Sequence, residues 1–207
     1  MLDKTTTIEK FLEAAAAKQP TPGGGSAAAL AGALAAAMGE MVLNYSVGKK
    51  GLEEHDGILR SALAEFQRAR EMLLELMAED QSAYEALTAA RKIAGASAHR
   101  LAEIEEAAMM CVQVPQAMAG TAGAMLELAD QLVEKVNRHL LSDLAVCAEL
   151  AMAAIRAALY NVRVNLTEIG DTEQRRLIEV MDRQLLDRAT ALIQRVGPRI
   201  WTRVARG

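Results

Sequence analysis

Aromatic residues make up only 3% of this 207-residue chain, with three Tyr, two Phe and one Trp. So few stacking rings argue against a single-stranded nucleic-acid binder. The formal net charge of -4 lacks the basic surface that phosphate recognition needs. Cysteine is nearly as scarce. Cys111 and Cys147 lie in apolar stretches without CxxC spacing, which excludes a disulfide framework and fits reduced, buried thiols in a cytoplasmic protein. The three histidines, His55, His99 and His139, show neither HExxH nor ExxH spacing, so no metal site is expected. GxSxG is absent, as is a basic-then-apolar leader. No run alternates apolar and polar residues, so essentially no strand is expected. The longest nearly uncharged stretch, Ala27 to Leu43, is mostly Ala and Gly and is interrupted by Glu40. It reads as a core helix buried on all sides, with no membrane partner.

Ala, Leu and eleven Met dominate a composition that is 52% hydrophobic. Small and flexible side chains suit closely packed helices. Thr6-x-x-Glu9 reads as a capping box opening a helix to about Ala17. Two prolines and three glycines between Pro20 and Gly25 break it, and a second helix is expected from about Ser26 to Ser46. Gly48 to Gly51 ends that one. A long third helix covers about Glu53 to Ala90, and Gly95 marks a turn. Helices from about Leu101 to Val112 and from Gln116 to Val136 are separated by Pro115. Ser142 looks like the N-cap of a helix to about Leu166. Asp171 opens the last helix, and Gly197-Pro198 ends it. The expected architecture is all-α, a single domain over residues 1–207, built as a bundle of six to seven helices.

The third helix carries the clearest anomaly. Leu59, Ala62, Leu63, Phe66, Ala69, Leu73, Leu76 and Met77 recur at three- and four-residue spacing, and Ala83, Tyr84 and Leu87 continue the seam. Asp80 falls within that series, seven residues from Leu73 and from Leu87. Burying an ionised carboxylate costs several kcal/mol unless it is paired. Burial also raises its pKa toward the range useful for proton transfer. By spacing alone, a carboxylate paired with a buried arginine or capped by backbone is an equal reading. Neighbouring Glu79 is expected to point outward.

Other polar groups stand out by position. Glu149, Arg156 and Arg163 repeat every seven residues and mark a wet face, so Asn161 and Asn165 lie on the opposite, buried one. Two inward amides one turn apart can read a heterocycle's donors and acceptors, or simply bond neighbouring backbone. Asp143 shares their face but stands about 27 Å away along the axis; it equally suits the helix N-terminus. Gly24, Gly25 and Ser26 begin a helix whose bare N–H groups can cradle an anion or a carbonyl, or permit close helix contact. Lys49 and Lys50 form a compact basic spot suited to the carboxylates of an acidic tail, or merely to a solvated loop.

Five stretches together resemble the cyclodeaminase/cyclohydrolase family. They are Pro20 to Leu30 (PTPGGGSAAAL), Met41 to Lys50 (MVLNYSVGKK), Glu79 to Tyr84 (EDQSAY), Ser142 to Val146 (SDLAV) and Asn161 to Leu166 (NVRVNL). That family includes the C-terminal domain of formiminotransferase-cyclodeaminase and stand-alone methenyltetrahydrofolate cyclohydrolases. The resemblance implies an all-α homodimer and a tetrahydrofolate derivative as substrate and carrier. It implies no permanently bound cofactor, and it places the catalytic aspartate on Asp80. Tyr84 stands where the family commonly has Phe, and Arg91 to Arg100 matches poorly.

Two reactions follow from the resemblance. In the hydrolase, water attacks the bridging carbon of methenyltetrahydrofolate and opens the ring to formyltetrahydrofolate. In the deaminase, a folate nitrogen closes onto a formimino carbon and ammonia leaves. One carboxylate can serve either by stabilising cationic species or moving a proton. The non-enzyme alternative is a helical interaction module whose Ala-rich faces bind partner helices. The expected contacts are Asp80 for catalysis, with Gly24, Gly25, Ser26, Lys49, Lys50, Asp143, Asn161 and Asn165 for substrate. A bridging dimer would bring groups at separate helix ends to one long ligand.

Overall fold

The computed structural model describes residues 4–92 and 98–206. Among them there are six α-helices and no strand: α1 (Ile8–Ala16), α2 (Gly24–Asn44), α3 (Asp56–Lys92), α4 (Ala98–Leu132), α5 (Leu141–Asn165) and α6 (Thr172–Ala205). The turn expected at Gly95 lies outside the described residues. Helix α2 packs on α3 and α5, and α4 packs on the same two, which closes a four-helix bundle. Helix α6 lies along α4 and α5, and α1 is tied to the core through buried Phe11.

The approach of α2 to α3 is set by glycine. A Cβ on Gly39 would lie 2.6 Å from the Phe66 ring, one on Gly32 3.0 Å from Leu73, and one on Gly25 2.0 Å from Asp80. Both series step by seven residues and run in opposite directions, so the two helices are antiparallel and meet rung by rung. Heptad spacing keeps such a seam facing its partner. Asp80 is the rung at which the apolar ladder ends.

Several helix limits differ from the sequence expectation. The N-cap of α1 is Thr7, whose Oγ1 accepts from the Lys10 amide at 3.3 Å, and not Thr6. Gly24 and Gly25 belong to the first turn of α2. Ser142 is not a cap, because the chain already turns at Asn137, whose Oδ1 accepts from the His139 amide. A 3-10 turn at Arg138–Leu140 then leads straight into α5. Asp171 does cap α6, accepting from the Glu173 and Gln174 amides.

Both interior prolines are accommodated without a break. Pro115 has no N–H for the carbonyl of Cys111, four residues back. The Asn165 side chain supplies the missing donor, Nδ2 to the Cys111 oxygen at 2.8 Å, so α4 continues to Leu132. Asn165→Ala is expected to cost about 1–3 kcal/mol, the range for an orphaned buried carbonyl. Pro115→Ala restores a backbone donor and should recover most of that loss in the double variant. Urea unfolding of the four proteins checks it; equal losses in both backgrounds would contradict this account.

Helix α6 likewise passes Gly197-Pro198 and reaches Ala205. Its last turns are pinned to the end of α4. Arg195 and Arg199 both pair with buried Asp130, and Arg203 donates to the carbonyls of Val133 and Val136. These carbonyls lie in the turn that follows α4.

Helix α2 is long and apolar enough by composition to cross a membrane, and 56% of its most apolar window is buried in the bundle. It is not enclosed on all sides as expected. Ala27, Leu34 and Met41, seven residues apart, are exposed. On adjacent α5, Val146, Ala153 and Tyr160 form a second exposed series with the same spacing. Tyr84, expected in the α3 seam, is also exposed, because the seam curves past it to buried Ala83 and Leu87.

Candidate functional site

Asp80 is half-buried where the start of α2 crosses the middle of α3. Its Oδ2 accepts from the Ser26 hydroxyl at 3.0 Å, and the Ser26 amide also donates to the carboxylate. Oδ1 occupies the space that a side chain at residue 25 would fill. The anion received by the first turn of α2 is therefore the protein's own Asp80, held by an orphan N–H at a helix N-terminus. No arginine or lysine forms an ion pair with it among the described residues. Desolvation raises its pKa above the usual carboxylate value, and the two Ser26 hydrogen bonds partly oppose that rise.

Three further elements converge here. Asn161, on the last turns of α5, lies 3.2 Å from the Cβ position of Gly24 and donates its own amide to the Ala157 carbonyl. Both its Nδ2 and its Oδ1 stand 3.2 Å from that position, so the whole amide lies against the start of α2. Cys111 of α4 is buried close enough for the Asp80 charge to act on it; burial and then that charge raise its thiol pKa. Arg91 at the end of α3 and Glu168 after α5 pair at 2.8 Å. Both influence the Cys111 thiol, which places them beside the same end of the bundle. Gln81, next to Asp80, is buried and donates to the Met77 carbonyl.

Gly24, Gly25, Ser26, Asp80 and Asn161 thus come together at one end of the bundle. Two assignments change. Ser26 holds Asp80, and Asn165 is committed to the α4 carbonyl freed by Pro115. Cys111 escaped notice because, read alone, it is only a buried thiol; the nearby proline was the available clue.

Lys49, Lys50 and Asp143 are not at this end. Helix α2 has 21 residues, so the lysine loop stands about 30 Å from Gly25. Asp143 lies in the first turn of α5, also at that far end, with the Ser142 hydroxyl 3.4 Å from Oδ2. A cavity of about 280 Å³ between α5 and α6 is lined by Arg163, Asp182, Arg183 and others, but not by Asp80. No group of three or more His, Cys, Asp or Glu suited to a metal occurs among the described residues.

A helical cage around one carboxylate held by a glycine-serine helix start can now be set beside known proteins. Residues 7–182 match the formiminotransferase-cyclodeaminase family. The chain belongs to that family. It is 35% identical over 204 residues to the methenyltetrahydrofolate cyclohydrolase of Methylorubrum extorquens, covering 96% of this chain and 97% of that one. It is 29% identical over 189 residues to the formimidoyltransferase-cyclodeaminase of Gallus gallus, but spans only 35% of that longer protein. The crystal structure of formiminotetrahydrofolate cyclodeaminase from Thermotoga maritima superposes with a TM-score of 0.82 at 26% identity, over 97% of this chain and 96% of that one. The family's fold therefore extends along essentially the whole described chain.

Proposed function

We propose that this protein is a methenyltetrahydrofolate cyclohydrolase with Asp80 as its catalytic carboxylate. The observation that carries the reading is the Asp80 carboxylate itself, desolvated, without a cationic partner among the described residues, and fixed by Ser26 at the mouth of α2. The near full-length relative named for this reaction supports it.

The chemistry follows from that geometry. The substrate's bridging carbon belongs to a cationic amidine-like group, which an ionised carboxylate stabilises. As water attacks, Asp80 takes its proton and the carbon becomes tetrahedral. The same carboxyl returns the proton to the departing nitrogen, the C–N bond breaks, and the carbon's hydroxyl gives its proton to the again-ionised Asp80, which releases it to solvent, to become the formyl oxygen. In this reading the Asn161 amide contacts the pterin, and the exposed Gly24 lets the ring approach the backbone. No cofactor enters this sequence. The second reading, formiminotetrahydrofolate cyclodeaminase, draws on the Thermotoga relative and uses the same carboxylate. Loss of methenyl absorbance, measured beside ammonia release from the formimino substrate, separates them. Turnover of neither substrate by pure protein would end both.

The protein is further proposed to act as a homodimer. The two exposed apolar series on α2 and α5 sit on neighbouring helices, and patches of this kind mark association sites. Pairing across them supplies Lys49, Lys50 and Asp143 from one subunit to a ligand at Asp80 of the other. The double variant Leu34→Glu/Met41→Glu is expected to sediment as a monomer and to lose most turnover while keeping its helical circular dichroism. A fully active monomer would contradict the shared site.

A further inference from the structure

We infer that the slot between α5 and α6 binds a small zwitterion, an α-amino acid with an apolar side chain. The slot measures about 280 Å³. That is near the lower edge of the range for small-molecule sites, about 300–1,000 Å³. Neither Asp80 nor any residue assigned above to the folate lines it, so its ligand is distinct from the folate substrate.

The floor is apolar. Leu159, Val162 and Leu166 come from α5 and Leu186 from α6. Val162 and Leu166 are buried, and the other two are half-buried. Asp182 lines the same space and is half-buried as well. Gln116 Nε2 of α4 donates to its Oδ1 at 2.9 Å, and its Oδ2 has no hydrogen-bond partner among the described residues. Desolvation raises the Asp182 pKa, and the Gln116 bond partly opposes the rise. A carboxylate so placed gains from a cation brought to Oδ2, because pairing offsets the cost of its burial.

The rim carries both signs. Arg163 stands on α5, and Glu179, Arg183 and Asp187 stand on α6, all exposed. The three on α6 are four residues apart, a spacing at which opposite charges ordinarily pair. None of the four forms an ion pair among the described residues, so both guanidinium groups are open to a ligand. A carboxylate meets Arg163 and Arg183 through charge-assisted hydrogen bonds. The ammonium on the neighbouring carbon meets Asp182, and the side chain covers the leucines. An amine alone leaves the arginines unused, and a plain carboxylic acid leaves Asp182 unpaired.

Titration calorimetry on the full chain tests it with L-leucine and L-phenylalanine. Each is run beside the amine that lacks its carboxylate and the acid that lacks its amine (3-methylbutylamine and 4-methylpentanoate; 2-phenylethylamine and 3-phenylpropanoate). At least one amino acid is expected to saturate, with its two truncated forms at least about tenfold weaker. Asp182→Asn keeps the shape and the Gln116 hydrogen bond, and should weaken the amino acid about tenfold or more. Arg163→Gln/Arg183→Gln changes only the rim, leaves the core untouched and should do the same. Arg156→Gln, on the exposed face of α5 outside the slot, should bind as the parent does. No saturation by either amino acid up to about 10 mM overturns the site. So does a truncated form that binds as tightly as its amino acid, unchanged affinity in either slot variant, or equal weakening by Arg156→Gln.

Discussion

Asp80→Asn is expected to lower turnover by about two to four orders of magnitude, the usual effect of losing general acid–base catalysis, with the fold intact. Asparagine keeps the shape and can still meet the Ser26 hydroxyl, so the loss isolates the proton-carrying function. Near-normal turnover of the purified variant would refute the assignment. The pH behaviour of the parent adds an independent check. As a base, Asp80 must be ionised, and desolvation raises its pKa. The acid limb of the rate profile should therefore lie above about 3.9, the ordinary aspartate value. Ser26→Ala removes a hydrogen bond that lowers this pKa, so the limb should move to still higher pH.

The same shift has a consequence for stability with a definite sign. A carboxyl whose folded pKa exceeds its unfolded one binds more protons in the native state. Stability therefore falls as pH rises through the window between the two values. Asparagine does not titrate. Asp80→Asn should then unfold at a higher temperature than the parent at neutral pH, with the difference shrinking below the ordinary carboxylate pKa. Thermal melts at several pH values measure it, and a variant less stable at neutral pH would count against a carboxylate kept desolvated for its chemistry.

The second large effect is expected at Gly25, which makes no hydrogen bond through a side chain. In Gly25→Ala the new Cβ would lie 2.0 Å from Asp80 Oδ1 and 2.5 Å from Cγ, so the carboxyl must leave its seat or α2 must move away from α3. Overpacking of this kind costs about 1–3 kcal/mol. A carboxylate displaced by an ångström forfeits about two orders of magnitude in rate. The double variant Gly25→Ala/Asp80→Ala removes the clash and should regain the parent's stability without regaining turnover. A Gly25→Ala enzyme with parental kcat and melting temperature would show that the close crossing does not position the carboxylate.

How much of this was legible beforehand follows from the range of each interaction. The Asp80 anomaly was visible because helical periodicity is local: Leu73, Leu76, Met77 and Leu87 declare a buried face within a few turns. The inward placement of Asn161 against outward Arg163 came from the same arithmetic. Pro115 and Pro198 were misread as helix ends, since their effect depends on what replaces the missing donor. At Pro115 that donor is Asn165, which lies 54 residues beyond the Cys111 carbonyl it satisfies. Around Pro198 the helix is held by Arg195 and Arg199 on Asp130 and by Arg203 on the Val136 carbonyl, partners 65 to 69 residues earlier in the chain. Ser142 was mistaken for a cap because Asn137, five residues earlier, already turns the chain.

The seven-residue glycine series on α2 was present in the sequence, but its meaning needed the register of α3. Glycine spacing indicates that something approaches closely without saying what.

The chain by itself determined that it would be helical, where its buried faces run, and that one aspartate breaks the longest of them. Tertiary structure decided what that aspartate touches. Only the antiparallel crossing of α2 and α3 puts a helix start against Asp80, and only the bundle's length keeps Lys49, Lys50 and Asp143 at the opposite end. Periodicity is fixed by bond geometry within a few residues, whereas register between helices depends on side chains far apart in the chain meeting at close range.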